Sequence, residues 1–181
     1  MKIYLAGPVV TDKEIKAQMN KIEEALNAMP CIFDPLAQTD IWIDVFRPGK
    51  HKIPNEWGID IDTWGQCVFT MDVAAIDECE WMVVADYGRQ ATAGTAWEVG
   101  YAFAKGIKIL VIQMPGVEES SLMIRGCAAN ICKYEDFIAG TPYKDEETNT
   151  WFHTNDKRND DRFERFFFER GRKQEKTVIL N

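Results

Sequence analysis

Histidine is scarce in this sequence: only His51 and His153 occur, and neither stands at ligand spacing from a cysteine or a carboxylate. Zinc chemistry therefore has little support. The five cysteines, Cys31, Cys67, Cys79, Cys127 and Cys132, form no C-x-x-C pair. An odd, scattered set reads as reduced, buried thiols rather than a disulfide framework. No G-x-G-x-x-G follows the first apolar run, which argues against a Rossmann dinucleotide site, and no G-x-x-x-x-G-K-[ST] occurs, which removes P-loop phosphoryl transfer. A G-x-S-x-G elbow is missing as well. No stretch approaches the roughly 20 apolar residues of a membrane span. Residues 1–10 lack the longer apolar core and small-residue cleavage site of a signal peptide. These absences read as a soluble, cytoplasmic protein.

Positive charge is short too. Lys and Arg number 21 against 29 Asp and Glu, for a net charge of −8. A duplex nucleic-acid binder needs a clustered basic face, so that class is excluded. A small anionic substrate needs only a few local donors and stays open.

What is present suits one globular unit. The 181 residues are 46% hydrophobic and 12% aromatic, enough to bury a core. Residues 3–6 are a short apolar run closed by Gly7-Pro8, the pattern of a buried parallel strand. Thr11 and Glu14 stand at capping-box spacing, and Ile15, Met19, Ile22 and Leu26 follow on one helical face that Pro30 ends. Cys31-Ile32-Phe33 reads as a second strand. Residues 36–57 show no regular period, and a loop of about 20 residues is usually functional or mobile. Ile61, Trp64, Val68, Met71 and Ala75 form a second helical stripe. Trp81-Met82-Val83-Val84-Ala85 is a central strand, residues 95–105 a helix stopped by Gly106, and residues 107–112 another strand. A helical segment over 121–129 precedes a short strand at Ile131-Cys132.

Strands and helices alternate to about residue 135. That order predicts an α/β fold: a five-stranded parallel sheet with helices on both faces and right-handed crossovers. Such sheets bind ligands beyond the carboxyl ends of their strands. The loops after Ala6, Phe33 and Ala85 are therefore where chemistry belongs. Residues 1–150 carry 13 basic against 23 acidic side chains, whereas 151–181 carry eight against six. The tail reads as a separate charged and aromatic extension. Its Arg162-Phe163-Glu164-Arg165-Phe166-Phe167-Phe168 run packs on its own domain or across a subunit interface.

Carboxylates are the best candidates for chemistry. Glu98 lies in Gly94-Thr95-Ala96-Trp97-Glu98-Val99-Gly100-Tyr101-Ala102. Thr95 and Glu98 have capping-box spacing, so Glu98 can simply satisfy a helix end. The small residues before it and the aromatics around it also leave room for a ligand. Asp72 follows Trp64 and Val68 by eight and four residues, on one helical side. It is either at the rim of a buried stripe or in a cavity. Together the pair suits glycosidic chemistry, one carboxylate attacking the anomeric carbon and one protonated carboxyl assisting the leaving group. The nucleophile can work ionised near the ordinary Glu pKa of about 4.3, and the acid needs its pKa raised by burial.

Four stretches resemble the nucleoside 2-deoxyribosyltransferase family over about residues 2–137: Lys2-Ile3-Tyr4-Leu5-Ala6-Gly7-Pro8, Trp64 with Asp72, the Gly94–Ala102 segment quoted above, and Leu122-Met123-Ile124-Arg125-Gly126 through Asn130. The resemblance implies a flavodoxin-like sheet and transfer of 2-deoxyribose between nucleobases through a covalent intermediate on Glu98. It implies that Asp72 exchanges a proton with the base and that Tyr4 positions the nucleophile. Gln38 matches a base-contacting glutamine, and Gly7, Gly94 and Met123 join the substrate-binding set. Neither a metal nor an organic cofactor is implied. A homo-oligomer with shared sites is, with Asn130 nearing the sugar 5′ end of the partner chain.

One position departs from that pattern. Transferases acting on free nucleosides carry an aspartate six residues before the nucleophile, where this chain has Thr92. The related 2′-deoxynucleoside 5′-monophosphate N-hydrolases place a hydroxyl there to bind phosphate, and Ser121 also resembles them. A carboxylate would repel a phosphate that a hydroxyl can bind. The transferase reading comes first, the nucleotide hydrolase second, and a non-catalytic nucleotide-binding module third.

Overall fold

A computed structural model describes residues 1–28, 32–34, 39–54, 56–88, 93–118 and 120–139. Gln38, Thr92 and the 151–181 extension lie outside the described residues. Strand β1 (Lys2–Ala6) buries four of its five residues. Side chains alternate across it, Ile3 and Leu5 entering one apolar cluster and Tyr4 and Ala6 the other. Helix α1 (Lys13–Asn27) buries Met19, Ile22 and Leu26, as its period predicts. Its cap is Asp12 rather than Thr11, because the Asp12 carboxylate accepts from the N–H groups of Glu14 and Ile15.

The expected second strand needs correction. β2 (Ile32–Asp34) pairs antiparallel with β3 (Thr39–Ile41) in a two-stranded piece outside the main sheet. The place beside β1 belongs to β4 (Asp44–Phe46), in parallel register with Lys2, Ile3 and Tyr4. Three residues are too few to display a period, which hid this strand inside the apparently irregular 36–57 stretch. A 3₁₀ turn at Glu56–Gly58 then leads to α2 (Ile61–Glu78), capped by Asp60.

Next come β5 (Trp81–Asp86), buried throughout, α3 (Ala93–Ala104), and Gly106 with φ +75° as the stop. β6 (Lys108–Gln113), α4 (Leu122–Cys127), β7 (Asn130–Lys133) and α5 (Tyr134–Ala139) follow. The sheet order is β4-β1-β5-β6-β7, and its four strand pairings are parallel. This is the expected α/β flavodoxin-like architecture. α1 and α5 cover the face of Ile3 and Leu5; α2, α3 and α4 cover the face of Tyr4 and Ala6. Strand order reverses at β1, so a ligand crevice belongs at the carboxyl ends of β1 and β5. Among the described residues no helix is long and apolar enough to cross a membrane. Cys67 is exposed, which corrects the expectation of uniformly buried thiols.

Candidate active site

The period of β1 sends Tyr4 toward α3, where its buried hydroxyl donates to Glu98 Oε1 at 3.0 Å. On α3 the buried residues are Thr95, Glu98, Val99 and Ala102, an i, i+3, i+4, i+7 stripe. Glu98 thus sits among core positions and is only 9% exposed. The helix begins at Ala93, so Thr95 lies inside the first turn and not at the cap. The capping-box reading of Glu98 gives way to a buried carboxyl held by a tyrosine.

Its other oxygen, Oε2, is buried with no hydrogen-bond partner among the described residues, and so is Oδ1 of half-buried Asp72. An unpaired buried polar atom costs about 1–3 kcal/mol. Two of them on one cavity mark a place where a ligand supplies the missing partners. That cavity has a volume of about 480 Å³, and Gly7, Gly94, Asp72 and Glu98 all line it. The size suits a small molecule. The α2 stripe finds its purpose here: Trp64, Val68 and Met71 line the cleft beside Asp72, while Ile61 is exposed and Ile76 is the residue of α2 in the core. Gly7 has a packing reason as well, since a Cβ there would lie 2.7 Å from Met19 Cε.

Burial sets the electrostatics. It pushes Glu98 from its ordinary 4.5 to about 7; the Tyr4 hydrogen bond works against that shift and the charge of Asp72 adds to it. Asp72 is raised from 3.8 to about 6, again chiefly by burial, with His51 pulling the other way. The nucleophile candidate therefore does not keep the ordinary value expected of it, because α3 buries it more deeply than the spacing implied. Burial, then the charges of Glu98 and Asp72, raise the Tyr4 hydroxyl, which stays a proton donor.

Sequence reasoning missed one wall. Tyr4 stacks on Phe46 at 5.4 Å, and Phe46 stacks on His51 at 4.2 Å with ring planes 6° apart. His51 lines the cleft together with Lys52 and Glu56, and the Phe46 and Tyr4 rings stack behind it. A lone histidine in an aperiodic stretch gives no signal; recognising β4 would have placed it at a strand's carboxyl end. Thr95, read as a cap, is another lining residue.

Two expected residues stand apart. Ser121 precedes α4 without a side-chain capping bond, and Met123 is 77% exposed. Neither lines the cleft. Asn130 opens β7 opposite Leu110. No cluster of three or more His, Cys, Asp or Glu that could hold a metal ion occurs among the described residues.

With this geometry in hand, the nucleoside 2-deoxyribosyltransferase family model matches residues 3–122. The chain belongs to that family. Membership places it among proteins that cleave or transfer N-glycosidic bonds and act on nucleosides and nucleobases as small molecules. A 2-deoxyribosyltransferase of Bacillus psychrosaccharolyticus is 25% identical with a TM-score of 0.58, covering 77% of this chain and 92% of its own. A conserved protein of Enterococcus faecalis V583 shares the fold at 18% identity and a TM-score of 0.59, over 77% of this chain and 95% of that one. The CMP N-glycosidase BcmB of Clostridium botulinum aligns over 77% and 96%, at 18% identity and a TM-score of 0.48. No curated protein matches the chain in sequence.

Proposed function

We propose that this family member transfers 2-deoxyribose between nucleobases through a covalent deoxyribosyl ester on Glu98. The observation that carries the reading is the unpaired, buried Oε2 of Glu98 in a cleft shared with Asp72, while Tyr4 holds Oε1. Oε2 attacks the anomeric carbon, the carbon–nitrogen bond breaks, and its electron pair leaves with the base. Protonated Asp72 gives the departing base its proton. A second base then attacks the anomeric carbon, the bond from that carbon to Oε2 breaks to return the Glu98 carboxylate, and Asp72 takes up the proton the incoming base loses.

The productive form has Glu98 ionised and Asp72 protonated. With Glu98 near 7 and Asp72 near 6 a single proton favours Glu98, so the productive form is a minority that peaks between the two values. We expect a bell-shaped profile of kcat/KM with its maximum between about pH 6 and 7. A profile flat from pH 5 to 8 would separate these carboxyls from the chemistry.

A second reading has its own observation. Thr92 stands where an aspartate would bind a free 5′-hydroxyl, which favours a 5′-monophosphate substrate and water as acceptor. One assay separates the two: deoxynucleosides and their monophosphates are incubated with and without a second free base. Base exchange supports the transferase, and release of deoxyribose 5-phosphate supports the hydrolase. Inertness toward all of them leaves a nucleotide-binding module.

The proposal includes a homo-oligomer whose partner copy completes each cleft through the Met123 and Asn130 segment. Leu122 and Met123 are 84% and 77% exposed, an apolar pair open to such a contact. A sedimentation mass above 20.8 kDa is expected. A fully active monomer at micromolar concentration would remove the shared site.

A further inference from the structure

A second, smaller cavity of about 190 Å³ adjoins the cleft. The two share Gly7, Val9, Pro48 and Gly49, so they are chambers on either side of one wall. That wall is tight: Gly49 has φ +78°, and a Cβ on it would meet Val9 Cγ1 at 2.9 Å. The side chamber differs from the cleft in its charges. Lys16, Arg47 and Lys50 line it, and no carboxylate does. In a chain of net charge −8 this is an unusual concentration of cations.

The bland explanation is an ion-pair network built for stability. Glu23 does pair with Arg47 at 3.0 Å and with Lys50 at 2.8 Å. It accounts for one charge of the three. The side-chain bonds of Arg47 to Asn20 and to Glu23 both leave from Nη1. Lys16 makes no ion pair among the described residues. The guanidinium is held with its side chain 11% exposed, already desolvated and oriented by α1. A fixed guanidinium flanked by two ammonium groups is the donor set that a tetrahedral oxyanion takes.

We propose that this chamber is an anion subsite that takes a phosphate group, contiguous with the glycosidic cleft. Two sources supply that chemistry: the 5′-phosphate of a deoxynucleotide lying in the cleft, or free phosphate. Only the first rests on the function proposed above.

Two measurements test it. Inorganic phosphate is titrated into the full chain, with binding followed by calorimetry or NMR. Saturable binding is expected, weakened at least about tenfold in the Lys16→Ala/Lys50→Ala variant, since charge-assisted bonds are lost. Glu23→Gln, which removes the competing carboxylate, should tighten it. Absence of saturable binding, or binding that all variants share unchanged, overturns the subsite. The second measurement is the ratio of kcat/KM for a deoxynucleoside monophosphate to that for its nucleoside. A tenfold or larger fall of this ratio in the double lysine variant identifies the substrate's phosphate as the occupant. Phosphate binding with an unmoved ratio upholds the subsite and makes free phosphate its ligand. If the wild type turns over neither substrate, the glycosidic reading fails, and the phosphate titration still decides the subsite by itself.

Discussion

The two faces of the central sheet are made from alternate residues of the same strands, yet they end differently. On the α1/α5 face Ile3 and Leu5 meet Met19, Ile22, Leu26, Tyr134 and Phe137 in an apolar cluster. On the α2/α3 face the residue between them, Tyr4, meets a glutamate. One face buries what water rejects. The other buries a carboxyl that water would hold, and leaves one of its oxygens unpaired. The difference teaches where stability and function separate: a single step along β1 crosses from packing to chemistry.

Substitutions on the two faces should therefore have opposite signatures. The largest effect is expected from Glu98→Ala, with turnover down by at least about three orders of magnitude and substrate binding retained. Release of base under single-turnover conditions would check it, and near-normal turnover would place the chemistry elsewhere. Ile22→Ala, on the other face, should lower unfolding free energy by about 2–5 kcal/mol and leave kcat per folded molecule unchanged. Urea titration beside an activity assay reads both, and a matching loss of kcat would erase the contrast.

Third, the buried carboxyl should tilt stability against pH. Its folded pKa, near 7, lies above its ordinary 4.5, so the folded state holds this proton more tightly. The associated stability is fully present below about pH 4.5 and is lost as pH rises through 7. The difference is on the order of 3 kcal/mol for this largely buried side chain. Glu98→Gln should flatten that slope and exceed the wild type at pH 8. Parallel denaturation curves for the two proteins from pH 4.5 to 8 would contradict it. The smallest effect belongs to Tyr4→Phe, which keeps the ring on Phe46 but removes the donor. Turnover should fall about tenfold, the worth of one charge-assisted hydrogen bond. The alkaline limb of the pH profile should shift upward, because that bond works to lower the Glu98 pKa, the higher of the two. An unshifted limb would mean the hydroxyl does not tune the carboxylate.

Most of the sheet was legible because long buried strands announce themselves. Residues 81–85 and 109–112 are continuous apolar runs inside β5 and β6, and the α1 stripe falls on its core positions. Strand β4 was not legible: Asp44-Val45-Phe46 owes its place to pairing with β1, a long-range fact that three residues cannot encode locally. The site was half legible. Glu98 and Asp72 stood out as carboxylates in apolar settings, and both line one cleft. His51 and Phe46 did not stand out, because their meaning lies in a ring stack set by β4. The α2 stripe was seen correctly as a face, but Asp72 stayed open between the rim of a buried stripe and a cavity, since periodicity cannot tell a core from the apolar wall of a cleft.

The strand order also has a consequence for how the chain is made. β1 leaves the ribosome first, but its neighbours in the sheet are residues 44–46 and 81–86. Tyr4 waits for a partner 94 residues downstream. At about 5–20 residues per second that wait is roughly 5–20 s. One edge of β1 is open until residues 44–46 are made and the other until residues 81–86 are, and α1 can cover only its Ile3 and Leu5 side. The cleft face stays open until α3 is made, so a nascent chain stalled before α3 displays Tyr4 without its glutamate to whatever is nearby.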